Sequence, residues 1–328
     1  MGSVVYADIK KFQIAHHVDC GVALMRCNRF LQAKIEYEAV LSLDPVDRYA
    51  RWGRSLANLS LGNYKDGMEE HDWAWEIYDW RALGPVKGNV DRILALPEWK
   101  GEPRHLILYH EMGFGDAIMC LRFLPDLVRR NKSVTLVVRP ELVSLMEECK
   151  SGAVIVGAVP GQMGGFEARA TFFNAIWIAG WTDRIPTEPY IKREFKTKGN
   201  RMGVAWSGHS QTNFTAERFL SRLNTRDYLI HSLQPAPAPK NVVPLNPSST
   251  FKITADLMAE MDVVVTVDTS VAHLAGAMGH QNAHVVIPYL RDWRWWHKDR
   301  WYPTLNIYPQ DEAGDWDKVF DRVNEAIK

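Results

Sequence analysis

One segment limits the architectures open to this chain more than any other: Val263-Val-Val-Thr-Val-Asp-Thr-Ser-Val-Ala-His273-Leu-Ala-Gly-Ala-Met-Gly279. Its first five residues are β-branched with no polar alternation, the pattern of a strand covered on both faces in a parallel α/β sheet. The chain then runs without a breaker into a small-residue helical stretch that stops at a glycine. Asp268, Thr269 and Ser270 fall at the junction, and His273 lies one turn inside the helix. In α/β domains ligands dock at the carboxyl ends of strands, where helix N-termini present free N–H groups. A diphosphate fits that geometry. The same residues also describe an ordinary capped helix, with Asp268 or Thr269 as the cap, and the segment alone leaves both readings open.

A chain of 328 residues exceeds the usual single domain, so two or three domains are expected. The 46% hydrophobic content supports a sizeable core. With 39 basic and 39 acidic residues there is no global electrostatic case for nucleic acid or an anionic membrane. Lys192, Arg193, Lys196, Lys198 and Arg201 cluster locally and read as solvated linker. Cys20, Cys27, Cys120 and Cys149 lack paired metal-ligand spacing; Cys20 and Cys27, seven apart on a helical pattern, are expected to be buried thiols rather than a disulfide. No apolar run approaches a membrane span and no signal-peptide core opens the chain, so a cytoplasmic protein without a membrane span is expected. Trp293, Trp295, Trp296 and Trp301 fall within nine residues. An indole suits sugar rings and interfaces, but a core plug beneath a C-terminal subdomain is the preferred reading.

The first ~80 residues look helical and repetitive. At an offset of 34, Ala23 matches Ala57, Cys27 matches Leu61, Phe30 matches Tyr64 and Ala33 matches Gly67. Small residues at these places let paired helices approach, and the aromatic fills the gap between them. Asp44-Pro45 stops the second helix of the first unit. The period resembles tetratricopeptide repeats. Two units are fewer than the about three needed to stand alone, so the module is expected to pack on the next domain. Its role is either structural or the binding of a protein partner or acceptor in its groove.

Residues 81 to 103 read as a Gly- and Pro-rich linker. An α/β pattern follows: a strand at His105–Tyr109, an amphipathic helix through Arg130, and strands at Val134–Val138 and Val154–Val156. Phe172–Trp181 is strand or helix; periodicity does not decide. A second α/β unit opens at Gly203, with strands at Tyr228–Leu233, Val263–Val267 and His284–Ile287, a helix over Thr254–Glu260 and a helical tail from Asp315. Together these predict two doubly wound, Rossmann-like domains with a cleft between their strand C-termini.

Gly113-Phe-Gly115-Asp116 ends a strand and begins a helix, and its glycines let backbone approach a ligand closely. It is not a dinucleotide fingerprint, because Met119 stands at the third glycine's offset, which disfavours a dehydrogenase. The ordered set is more specific: Glu111-Met-Gly-Phe-Gly-Asp116 with Leu121-Arg-Phe-Leu-Pro125, Val204-Ala-Trp-Ser-Gly208, Ser232-Leu-Gln234, Thr266 through Gly276, Pro288-Tyr-Leu-Arg-Asp-Trp-Arg-Trp295 and Trp301-Tyr-Pro303. Behind a tetratricopeptide-like module, this set resembles repeat-containing glycosyltransferases similar to the heptosyltransferase-like family of the GT-B fold. The resemblance spans roughly residues 20 to 324 and includes Ile185-Pro-Thr-Glu-Pro-Tyr190 at the exit from the first α/β domain.

The resemblance implies a helical module over 1–82, an acceptor domain over 83–195 and a nucleotide-sugar domain over 196–328, whose last helix can pack back on the acceptor domain. It implies a nucleoside-diphosphate sugar donor, with Asp268, Thr269, Ser270 and His273 at the phosphates and His273 supplying a proton or hydrogen bond. Asp116 takes the place of the base that deprotonates the acceptor hydroxyl, with Glu111 and His110 as neighbouring candidates. A plain helix cap at Asp116 and a buried structural His273 are the alternatives. At its helix start Asp116 is expected to stay ionised and to act by position. Gly113, Gly115, Trp206, Ser207, Gly208, Arg218 and Gln234 complete the implied donor site. His209–Arg222 and Gly279–His284 depart from the family pattern, so the resemblance leaves the donor base and sugar open. Asp315-Trp-Asp317 has metal-motif spacing but sits at a helix start, where acids serve the dipole. No metal and no cofactor beyond the donor are expected. The expected reaction is metal-independent, inverting transfer of a hexosyl or heptosyl group to an acceptor hydroxyl, with glycan, protein and modified nucleobase open as acceptors. A non-catalytic repeat adaptor and a sugar-nucleotide epimerase are the rival readings.

Overall fold

The computed structural model describes residues 2–71, 90–110, 112–182, 184–208 and 214–327. Glu111, the segment 209–213 and the expected module boundary at residue 82 lie outside the described residues, as does the linker before residue 90.

The N-terminal part is a succession of helices, α1 (Gly2–Arg26), α2 (Phe30–Leu43), α3 (Arg48–Ser60) and α4 (Tyr64–His71), each packed on the next. α2 ends at Asp44 ahead of Pro45, and Asp47 caps α3 by accepting the Ala50 N–H at 2.8 Å. Tyr37 wedges between α1 and α3. A methyl group on Gly21 or Gly53 would overlap its ring, so glycine sets the spacing of these helices. Ala33 and Ala57 are buried, whereas Ala23 and Cys27 are exposed. Nothing in the described chain covers that face of α1, so the expectation of a buried thiol at Cys27 fails. None of the four cysteines is in a disulfide.

After α5 (Val90–Leu94) the chain forms β1 (His105–Tyr109), α6 (Phe114–Cys120), a 3-10 turn at Leu121–Phe123, α7 (Leu124–Arg130), β2 (Ser133–Val137), α8 (Pro140–Glu148), β3 (Val154–Val156), β4 (Ala168–Thr171) and α9 (Phe172–Ile178). The ambiguous Phe172 segment is thus a helix, capped by Thr171, which accepts the Asn174 N–H at 3.1 Å. Its four strands run in the order β3-β2-β1-β4, all parallel. The C-terminal half contributes β5 (Arg201–Ala205), α10 (Ala216–Leu220), β6 (Leu229–Ser232), β7 (Val242–Val243), α11 (Phe251–Met258), β8 (Val263–Val267), α12 (Ser270–Met278), β9 (Ala283–Ile287), a 3-10 turn at Trp293–His297, α13 (Lys298–Trp301), β10 (Asn306–Pro309) and α14 (Asp317–Ala326). Its sheet runs β10-β9-β8-β5-β6-β7, again all parallel.

β8 accounts for its own composition. Val263, Val265 and Val267 enter a core with Val319, Phe320 and Val323 of α14, while Val264 enters the core that also holds Leu106 and Leu108 of β1. Both faces are covered, so no polar alternation is tolerated. α14 therefore packs on its own sheet, against β9 and β10, and not back on the first α/β unit. The two sheets share one continuous core through α6 and α12. Arg193, read as solvated linker, instead bridges Glu148 of α8 at 2.6 Å and Asp256 of α11 at 2.7 Å.

The tryptophan segment is a plug, but not beneath a C-terminal subdomain. Trp293 lies 5.9 Å from Tyr64 and 6.3 Å from Phe173, and Trp301 lies 5.7 Å from Tyr64 (ring centroids). It fills the space between the N-terminal helices and α9, which gives the helical module the packing partner its short length requires.

Candidate active site

Both sheets reverse their strand order beside their first strand, at β1/β4 in one and β5/β8 in the other. Loops diverge at such a point and leave a crevice at the strand C-termini. β1 leads to His110 and Gly113–Asp116; β5 leads to Trp206, Ser207 and Gly208; β8 leads to Asp268, Thr269 and Ser270. The motif residues read from sequence therefore sit at the two crevices, and α6 packed on α12 joins the crevices to each other.

The link between the crevices is electrostatic as well. Arg294, on the tryptophan segment, pairs through Nη2 with Oδ1 of Asp116 and through Nη1 with Oδ1 of Asp292 at 2.8 Å. Its side chain is only 7% exposed and lies over the Trp293 ring at 4.3 Å. The second Asp116 oxygen accepts the Gly113 N–H at 3.0 Å, the one half of a capping box that a glycine at the N-cap allows. Asp116 is thus a helix cap and also a buried ion-pair partner. Each of its oxygens keeps a lone pair for a further donor. Burial pushes its carboxyl above the ordinary value against the pull of Arg294, with Asp292 adding to the rise. The expectation of an ionised carboxylate rested on the helix start alone and did not include this burial. Burial, with Asp292 close by, pushes Asp268 up to about 7. Burial opposes the charge of Arg294, but Asp116 and Asp292 outweigh it and the guanidinium stays protonated.

His273 is buried on α12 with Nδ1 3.0 Å from the Tyr302 hydroxyl. Its ring occupies the space in which a Gly115 side chain would sit, so Gly115 is the residue that lets α6 and α12 close. Burial, with the Arg294 and Arg122 charges, holds its imidazole well below the ordinary range. That favours the hydrogen bond over the proton in the role expected of it. His110 is buried too, and burial beside Arg139 lowers it to about 3, a poor match to the role of base. Thr269 occupies the N-cap position of α12 with no side-chain capping bond, so the helix opens with its hydroxyl uncommitted and the ordinary capping reading does not describe it.

Three implied donor residues have other work. Trp206 is buried in the core of the second sheet. Gln234 accepts the Trp206 N–H at 2.8 Å and the Ser207 N–H at 3.1 Å through Oε1, so it holds the loop after β5 in place. Arg218 is exposed, 5.9 Å over the Phe214 ring, and Phe214 packs on Trp316 and Phe320. Ser207 and Gly208 remain half-buried at the β5 end. Asp315 and Asp317 pair with Lys318 and Arg222 at the α14 start. Among the described residues no three His, Cys, Asp or Glu side chains converge to hold a metal ion.

Sequence reading missed Arg294 and Asp292 as functional residues, although both stood in a quoted motif. It also passed over Arg122, whose buried guanidinium donates to the carbonyls of Pro186 at 2.9 Å and Trp301 at 2.7 Å and to the Tyr190 hydroxyl at 3.2 Å. One side chain thus joins α6's end, the crossover between sheets and the tryptophan segment. A groove of about 460 Å³ opens between α1–α3 and residues 290–293, lined by Phe30, Tyr37, Trp52, Arg291 and Asp292 among others. No described helix is long and apolar enough to cross a membrane.

No family model matches the chain, and no curated protein does. Solved structures similar to it include the iron-containing dodecameric glycosyltransferase TibC of enterotoxigenic E. coli, at 10% identity over 67% of this chain and 67% of that one, TM-score 0.48. The E. coli heptosyltransferase WaaC with ADP is similar at 11% identity over 68% and 99%, TM-score 0.43. An O-GlcNAc transferase mutant of Thermobaculum terrenum is similar at 12% identity over 96% and 79%, TM-score 0.34.

Proposed function

We propose that this chain is a glycosyltransferase that moves a hexosyl or heptosyl group from a nucleoside diphosphate to an acceptor hydroxyl, without a metal and with inversion. The observation that carries the reading is the meeting of two strand-order switch points across α6 and α12, with Asp116 on one side and Asp268 on the other, coupled through Arg294. The acceptor oxygen attacks the anomeric carbon, and the bond from that carbon to the diphosphate oxygen breaks with its electron pair. Asp116 receives the acceptor's proton. The diphosphate gains charge at the start of α12, where helix N–H groups and the Thr269 and Ser270 hydroxyls face it. Asp268, raised to about 7, is protonated in about half of the molecules at neutral pH, and in that form can donate to a phosphate oxygen. Acceptors in play are a glycan, a protein side chain or a modified nucleobase, and the groove beside Asp292 is the proposed approach for acceptor or protein partner.

A non-catalytic adaptor is the second reading, favoured by the ion pair that already engages Asp116. A thermal-shift series with UDP, GDP, ADP and TDP, followed by product analysis of Asp116→Ala, separates the two. At a hundredfold excess over Kd, a bound nucleotide stabilises the native state by about 2.7 kcal/mol. Binding intact with turnover abolished in Asp116→Ala supports the transferase. No nucleoside diphosphate bound and no nucleotide sugar consumed defeats it.

A further inference from the structure

We propose that Arg294 is a positioning residue of the transfer centre: its planar fork holds Asp116 and Asp292 together, fixing the orientation and charge of the Asp116 carboxylate. The role as a part of catalysis rests on the transferase reading above; the electrostatic clamp itself does not.

The argument starts from what fixes the guanidinium. Asp292 caps the 3-10 turn by accepting the Arg294 N–H at 3.0 Å and the Nη1 hydrogen at 2.8 Å with the same oxygen. The Trp293 face covers the fork from the other side. Backbone, counter-ion and ring therefore leave one orientation, and in it Nη2 points at Asp116 on the far sheet. A buried cation that is paired on two edges is costly to build and is not needed for packing, since apolar residues of similar volume usually serve stability as well or better. A positioning role accounts for keeping it.

The charges facing the pair come from every element around it. Asp268 stands at the β8 end, and Asp292 on the tryptophan segment. His273 of α12 and His71 of α4 both feel Arg294, and burial keeps both neutral. Arg122 adds positive charge at His273. Three acidic side chains thus surround one guanidinium, and Asp116 competes with Asp292 for it. Weakening Arg294 raises the Asp116 midpoint. Neutralising Asp292 lowers it, because a repelling charge is lost and the guanidinium is no longer shared. A lysine keeps the charge but, as a point donor, cannot hold both carboxylates in one plane.

The experiment is a carbon-13 NMR titration of the aspartate carboxyls in full-length protein, without donor or acceptor. The Asp116 resonance is assigned by its loss in Asp116→Asn. Arg294→Gln should move the Asp116 midpoint up by about 1–3 pH units and Asp292→Asn should move it down. If Arg294→Gln does not fold, Arg294→Lys and Asp292→Asn still give the test, the first by a smaller upward move. Midpoints that stay put, or that move in the same direction in both variants, overturn the clamp. In turnover assays Arg294→Lys should lower kcat at least about tenfold with the donor KM unchanged, and the acid limb of kcat should follow the NMR midpoint. Midpoints that move as expected in a protein with no transferase activity would end the transferase reading and leave the clamp standing; an unchanged kcat in an active enzyme overturns the positioning role.

Discussion

Asp268 offers a quantitative test because its environment penalises its charge. The carboxyl rises from 3.8 to about 7. That is about 3 pH units, or about 4 kcal/mol at about 1.4 kcal/mol per unit. The native carboxyl keeps its proton up to about 7, whereas the unfolded one releases it near 4, so in between the native state binds more protons and stability falls as pH rises. Below the unfolded value the group costs nothing; above the folded value the full penalty applies. Asp268→Asn replaces the acid with a neutral side chain of the same shape. Integrating the linkage, the variant should be more stable than the parent by about 1.7 kcal/mol at pH 5 and about 4 kcal/mol at pH 8. Urea unfolding at several pH values reads this directly. Nucleoside diphosphate affinity should also fall in the parent above pH 7, as a carboxylate meets the phosphates, and stay level in the variant. A stability difference that is the same at pH 5 and pH 8 would refute the reasoning, because it would mean that Asp268 ionises normally and the site does not favour its neutral form.

Gly115→Ala should lower stability by about 1–3 kcal/mol, since the methyl group overlaps the His273 ring, which is itself held by Tyr302 and Trp295. Differential scanning calorimetry should show a lower Tm that His273→Ala partly restores; no loss would mean α6 and α12 have room to part. Tyr64→Ala should cost about 3–5 kcal/mol, because its buried ring lies among Trp293, Trp301 and His297. Its unfolding in urea should remain one transition by fluorescence and circular dichroism, and a separate early loss of helix would show that the module folds on its own.

What sequence could reveal depended on whether one residue's neighbours dictated its state. The strands His105–Tyr109, Val154–Val156 and Val263–Val267 were legible to the residue because each is a short run of apolar residues between breakers. β4 is Ala-Arg-Ala-Thr and β10 is Asn-Ile-Tyr-Pro; neither carries a hydrophobic run, and pairing with an existing strand supplies what propensity does not. Asp116, Asp268 and the start of α12 could be placed at strand–helix junctions because motif and element boundary coincide. Their partner could not: Arg294 lies 178 positions from Asp116, and such a contact leaves no mark on local pattern. Separation along the chain likewise hid the reason for Gly115, which looks like a ligand-approach glycine and is needed for the His273 ring.

The tryptophan segment explains why a helical module precedes a pair of α/β sheets at all. Residues 289–301 belong by sequence to the second sheet, yet several of their contacts are with the module. Asn28 donates to the Tyr289 carbonyl at 3.1 Å, His297 lies 3.1 Å from the Ser60 carbonyl, Trp301 donates to the Tyr64 hydroxyl at 3.2 Å, and Phe30 meets Trp296 at 5.1 Å. A segment made of two short turns has little helical stability of its own. Its shape must come from what it is pressed against, and the module's offset-34 aromatics, Phe30 and Tyr64, are two of the side chains that press. Arg294 sits at the middle of this segment and pairs with Asp116. The two offset-34 aromatics therefore also set the mould for the charge that pairs with Asp116, which ties the helical module to the proposed transfer centre.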